Sequence, residues 1–197
     1  EENFMSLYKC NPRRNLIKFL LAIPLIASTN FARAFQNNSP ENSFVPVDFD
    51  VPTSLVSEHF RIEVLEPSVV ELDYDAVMSS RVNLRKIFRE NDTWPSDTMT
   101  LKKNNDDLVK HYAEFQSREA FAYTVLTPAK NKCIGCLYIY PSEAKEFDSV
   151  VYFWIRDDSL ELEAEFYTFI QNWLKEVWSF ENIAWPGREI SWKQWGS

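Results

Sequence analysis

A chain of 197 residues, 45% of them hydrophobic, is long enough to bury one proper core. It has only three glycines, Gly135, Gly187 and Gly196. That excludes a glycine-rich nucleotide loop, because backbone wraps closely around a phosphate only where side chains are absent. The formal net charge of -8, with no long basic run beyond the N-terminal segment, argues against nucleic acid as a partner.

Residues 1–34 have the three-part layout of an export signal: a charged start around Arg13 and Arg14, an apolar run, and Ala32-Arg33-Ala34 as a small-x-small cleavage site. The order Arg13-Arg14-Asn15-Leu16-Ile17-Lys18 resembles the twin-arginine signal, with Leu16 where that signal most often has Phe. Glu1 to Phe4, ahead of Met5, read as a remnant. The apolar run is short for a membrane span, so none is expected once the signal is removed. The expected location is periplasmic or secreted. A buried or amphipathic N-terminal helix in a cytoplasmic protein is the alternative. Residues 35–57, polar and proline-bearing, read as a linker, and the folded domain is expected over 58–197.

Within that domain, Phe60–Leu65 alternates as a strand. Apolar residues at helical spacing from Val70 to Phe88 predict a helix over about Ser68–Arg89. Asp92–Asp97 is a loop, and a second helix from about Asn104 turns Leu108, Tyr112 and Phe115 inward. Strands follow at Ala120–Leu126, Cys133–Tyr140 and Ser149–Arg156, the last apolar on both faces and so expected to be central. Asp158 with Glu161 suggests an acidic capping box, opening a helix with Phe166, Ile170, Trp173 and Leu174 on its apolar stripe. A short strand, Asn182–Trp185, precedes a tryptophan-rich tail.

Cys133-Ile134-Gly135-Cys136 invites a redox reading. A working dithiol normally opens a helix, whose N-terminus activates the thiol, whereas this one runs into a strand. Residues three apart on an extended strand point to opposite faces, so these thiols could join only across a bend at Gly135. Gly135 is better read as a bulge or a point of close approach. A structural disulfide stays open for an exported protein.

The order β-α-α-β-β-β-α-β, with Cys133–Tyr140 leading through a loop into Val150-Val-Tyr-Phe-Trp-Ile-Arg156, resembles the GCN5-related N-acetyltransferases over about residues 60–186. The resemblance implies an α+β fold with a mixed, mostly antiparallel central sheet flanked by helices. It also implies acetyl-CoA as cofactor and transfer of its acyl group to a small-molecule or peptide amine. Phe153, Trp154, Ile155 and Arg156 would then face pantetheine, and the turn from Asp157 to Leu160, including Ser159, would hold the pyrophosphate. In place of the family's glycine-bearing turn, however, stand Asp157-Asp158-Ser159-Leu160-Glu161. Carboxylates stabilise a helix start but repel a phosphate brought to the same spot. The chain also stops short of the family's last helix, which carries the acidic tyrosine. An exported, non-catalytic binding or interaction domain that keeps the fold without the cofactor is therefore the alternative reading.

Tyr138, Tyr140, Glu143, Tyr152 and Trp154 could line one cleft, with Glu143 as the candidate base if burial raises its pKa. The only histidines, His59 and His111, have no carboxylate cluster at ligand spacing in the sequence, so no metal site is expected. Trp185, Trp192 and Trp195 read as packing anchors. Left unpaired, they would form an apolar patch suited to a homodimer contact.

Overall fold

The computed structural model describes residues 44–196, so the expected export signal and most of the expected linker lie outside the described residues. Six strands form one sheet in the order β1 (Ser54–Val56), β2 (Arg61–Val64), β3 (Phe121–Leu126), β4 (Cys133–Pro141), β5 (Ser149–Ile155) and β6 (Ile183–Ala184). Neighbouring strands are antiparallel except β5 and β6, which run parallel. The fold is α+β with a mostly antiparallel sheet between two helical layers, as expected.

The sheet starts earlier than the composition suggested. Ser54–Val56 lies within the expected linker yet pairs with β2 through Leu55 opposite Ile62. Val45 is buried, and Phe44 stacks on Phe121 and Phe180. The polar run before Phe44 and the prolines after it read as a linker, but the apolar side chains that follow anchor the segment to the sheet.

The helix expected over Ser68–Arg89 is broken. α1 (Val70–Ser79) ends at Ser80, and α2 (Arg81–Leu84) is a single turn. Ser80 is buried, and its hydroxyl accepts from the amide of Asp157, far away in sequence. That tie fixes the break. α3 (Leu101–Ser117) begins earlier than expected because Thr100 caps it, accepting from the amide of Lys103.

α4 (Glu163–Val177) also departs from its expected start. The stretch Asp157–Leu162 is a 3-10 helix without a side-chain cap, kinked at Ser159, so the capping box does not form. The Asp158 carboxylate accepts instead from Lys132 at 2.9 Å and from the Ser159 hydroxyl at 3.0 Å.

Two faces follow from strand alternation. α4 covers one, with Phe166 against Phe60 and Phe153 and Trp173 against Tyr123. Burying Phe166, Ile170, Trp173 and Leu174 contributes roughly 1.5–3 kcal/mol per side chain. α1 and α3 cover the other face, where Ala76, Val77 and Leu108 meet Ala122, Leu126, Tyr138 and Trp154. The tryptophan tail is internally partnered: Trp185 packs edge-on to Tyr167, Trp192 stacks on Tyr152, and Trp195 meets Phe147. The unpaired patch that motivated a homodimer contact is therefore filled from within.

One irregularity governs the centre of the sheet. Val125 pairs with Gly135, but Leu126 pairs with Cys133, leaving Ile134 as an extra residue in a bulge. Cys133 and Cys136 consequently face the same side, contrary to the expectation for a regular strand, and both are buried free thiols. Gly135 is a point of close approach, since a Cβ there would sit 2.2 Å from the carbonyl oxygen of Trp154. Replacing Gly135 with Ala should therefore destabilise the domain by about 3 kcal/mol. Urea denaturation checks this, and a change below about 0.5 kcal/mol would show that the strands separate at little cost.

Candidate functional site

The residues expected to hold acetyl-CoA lie where β5 hands over to α4. The amide of Arg156 donates to the carbonyl of Ile134 at 2.9 Å, so it points toward β4. By alternation Phe153 and Ile155 turn their backbone groups the other way, toward β6. β6 pairs only with Ser149 and Val150, after which the two strands part. The gap is a slot of about 230 Å³, with Val151, Tyr152, Phe153 and Trp192 among its walls.

Arg188 reaches into that slot. Its guanidinium carbon lies 3.6 Å from the centroid of the Phe153 ring. Its Nη2 donates to the Phe153 carbonyl at 3.4 Å and to the Glu163 carboxylate at 2.7 Å. Gly187, at φ +76, allows the turn: a Cβ there would lie 2.7 Å from the Trp192 ring, so glycine lets arginine and tryptophan share the slot.

The expected site residues divide accordingly. Phe153, Trp154 and Ile155 are all buried. The Trp154 ring points to the α1/α3 face, where its indole N–H donates to the Tyr138 hydroxyl at 3.4 Å. Arg156 pairs with Asp75, and its Nε lies 3.2 Å from Asp158, out of line for a hydrogen bond. Ser159 is buried, its amide donating to the Arg156 carbonyl at 2.9 Å. Glu143 is exposed on the β4–β5 connection and lines neither cleft, so the burial its role as a base required is missing.

This turn is poorly furnished for a pyrophosphate. Helix starts hold anions through free amides, yet the amide of Asp157 is spent on Ser80, that of Ser159 on Arg156 and that of Glu163 on Leu160. Asp157, Asp158, Glu161, Glu163 and Glu165 crowd the same stretch. The Lys132 ammonium already bonds Asp158, holding its carboxyl below the usual range.

A second cleft, of about 240 Å³, opens on the α1/α3 face. Phe88, Trp94, Tyr138 and Tyr140 form its walls. Tyr138 and Tyr140 stack with centroids 6.2 Å apart, and Phe88 lies edge-on to Tyr138 and Tyr152. At the floor, buried Asp73 accepts from the amide of buried Asn104 at 2.7 Å. Asp107, bonded to Lys103, and His111, beside Glu114, stand on the α3 rim. Burial pushes the Tyr138 and Tyr140 phenols up, so both remain neutral donors near neutral pH, and burial likewise raises the Asp73 carboxyl.

Of the aromatic group expected to share one cleft, Tyr138 and Tyr140 line this one, while Tyr152 lines the slot. Sequence reasoning missed Asp73, Asn104, Phe88 and Trp94. The available signal was polarity inside an apolar stripe: Asp73 lies one helical turn from Val70 and Val77, and Asn104 one turn from Leu108.

No family model matches the chain, and no curated protein sequence matches it. Solved structures do. The chain is similar to a probable acetyltransferase at a TM-score of 0.52 and 13% identity, covering 67% of this chain and 72% of that one. It is also similar to the ribosomal-protein-S5-alanine acetyltransferase from Vibrio fischeri, at 0.48 and 16%, covering 64% and 68%. The microcin C7 self-immunity acetyltransferase MccE, in complex with acetyl-CoA and AMP, gives 0.49 and 14%, covering 64% and 70%. The sheet and its flanking helices therefore have the fold of the GCN5-related N-acetyltransferases. Identity this low speaks to fold alone.

The charge at the turn can be tested separately from the fold. Changing Asp157 and Asp158 together to Asn should leave acetyl-CoA binding undetectable by calorimetry, because the amides of 157 and 159 stay engaged. It should move stability by no more than about 0.5 kcal/mol, since both carboxylates are exposed. Micromolar binding by the double variant would show that charge alone excluded the cofactor.

Proposed function

We propose that this domain is an acetyltransferase fold put to binding: it receives a small amine-bearing ligand in the aromatic cleft and does not use acetyl-CoA. One observation carries the reading. The groups that would hold the cofactor, the Phe153 carbonyl and the amides of Asp157 and Ser159, are bonded to the chain's own Arg188, Ser80 and Arg156. The cleft supplies what an amine ligand needs. Four aromatic side chains would enclose its apolar body and their faces favour a cation, while at the rim Asp107, paired with Lys103, is joined by Lys110.

Export supports the same reading. The layout of residues 1–34 is that of a signal, and acetyl-CoA is a cytoplasmic metabolite. N-terminal sequencing from fractionated cells tests this, with a periplasmic or secreted form beginning after Ala34 as the expected result. A cytoplasmic form still beginning at Met5 would refute it.

A second reading, acyl transfer from acetyl-CoA to an amine, has one observation in its favour. β5 and β6 part beyond Val150 and Ala184, and Tyr152, a wall of the slot so formed, packs edge-on to Phe88, a wall of the aromatic cleft.

Two titrations separate the readings. Acetyl-CoA should give no saturable heat, placing its Kd above about 1 mM, whereas a Kd below about 100 µM would restore the acyltransferase reading. Arylalkyl amines should quench tryptophan fluorescence saturably, and Trp94→Ala should weaken that binding about tenfold while leaving the melting temperature within a few degrees. Unchanged amine affinity in Trp94→Ala would remove the cleft from the account.

A further inference from the structure

Beneath the aromatic cleft lies a cluster that amine binding does not use. Asp73 on α1 and Cys133 and Cys136 on β4 bring their ligand atoms within 4.8 Å of one another, and all three residues are buried. The surroundings are apolar, with Leu65, Ala76, Val77, Leu108, Ala122 and Leu126 in the same core. A carboxyl group in such a place must stay protonated or meet a cation. Its polar partners are neutral: Asn104 donates to one Asp73 oxygen at 2.7 Å and the Cys136 thiol to the other at 3.2 Å.

The bulge at Ile134 is what assembles the cluster. On a regular strand Cys133 and Cys136 would face opposite sides of the sheet. The extra residue turns both inward toward Asp73.

We propose that Asp73, Cys133 and Cys136 form a binding site for one thiophilic divalent cation, of which zinc is the type, at the floor of the aromatic cleft. Two sulfurs and one carboxylate oxygen are the donor set zinc takes up. Zn–S bonds of about 2.3 Å and Zn–O bonds of about 2.0 Å in a tetrahedron set such donors about 3.5–3.8 Å apart, inside the 4.8 Å bound on this cluster and near the 3.2 Å between the Cys136 sulfur and Asp73. Asn104 would orient the carboxylate from the outer shell, and the Thr124 hydroxyl, 3.6 Å from the Cys133 sulfur, would do the same for the thiolate. Asp73 also lines the cleft, so a metal held by these three residues would lie at the cleft floor. Binding deprotonates both thiols and the Asp73 carboxyl, and all three protons pass to solvent. The proposal stands independently of the amine-binding reading.

The test uses the full reduced chain carrying Cys10→Ser, so that Cys133 and Cys136 are its remaining thiols. Zinc is titrated against a chromophoric chelator, and cadmium is added separately to read the thiolate-to-metal charge-transfer band. The expected result is one equivalent of zinc, a cadmium band, and affinity at least about tenfold lower in Cys136→Ser and in Asp73→Asn. Asp73→Asn keeps the shape of the side chain, so it serves if the cysteine variant does not fold. Asp106→Asn, an exposed site paired with Lys102, should change nothing. No cadmium band, substoichiometric zinc, undiminished zinc affinity in Asp73→Asn, or a Cys133–Cys136 disulfide formed in place of metal binding would each overturn the proposal.

Discussion

The close approach of β5 to Gly135 is the constraint on which the rest of the domain depends. Only a residue without a Cβ lets the Trp154 carbonyl come so near β4, and the bulge beside it leaves Ile134 unpaired in the register. From there the consequences run outward. The Ile134 carbonyl receives the Arg156 amide, which fixes where β5 ends. Alternation then sends Trp154 toward the helices and Phe153 toward the slot. The same bulge turns Cys133 and Cys136 to one side. One irregular residue pair thus sets the edge of one cleft and the floor of the other.

The start of α4 is decided by charge and by hydrogen-bond accounting together. Asp157, Asp158 and Glu161 suit a helix N-terminus, yet the chain folds that stretch as a 3-10 turn and ties it to Ser80, Asn83, Lys132 and Asp75 through Asp157, Asp158 and Arg156. Each tie satisfies a group that an anion would otherwise need. Arg188 does the same for the slot, neutralised by Glu163 and resting on Phe153. The chain turns its own side chains onto the positions that the resemblance assigns to a cofactor.

Much of this fold was legible in the sequence because its main elements are strongly periodic. β3, β4 and β5 read as branched and aromatic runs, and α4 as a clear stripe of Phe166, Ile170, Trp173 and Leu174. The errors fell where long-range bonds outweigh local pattern. Ser80 breaks a helix because its hydroxyl serves Asp157, and Asp158 declines to cap because Lys132 holds it. β1 was hidden because it is only three residues long and follows a polar run and scattered prolines. The cleft was less legible than the sheet. Its walls come from a loop, a helix and a strand that only the fold brings together, and Asp73 and Asn104 are single polar positions within apolar stripes. Glu143 was chosen for nearness in sequence to the tyrosines, and the turn carries it away from them into solvent.

The positions that the resemblance assigns to acetyl-CoA are closed by the chain's own side chains. The most direct measurement follows the backbone amide resonances of Phe153, Ile155, Asp157 and Ser159 in isotope-labelled protein as acetyl-CoA is added to millimolar excess. These resonances should stay in place while the Arg188 guanidinium signals keep the shifts of a bonded group. Saturable movement of the Phe153 and Ser159 amides, with release of Arg188, would contradict it.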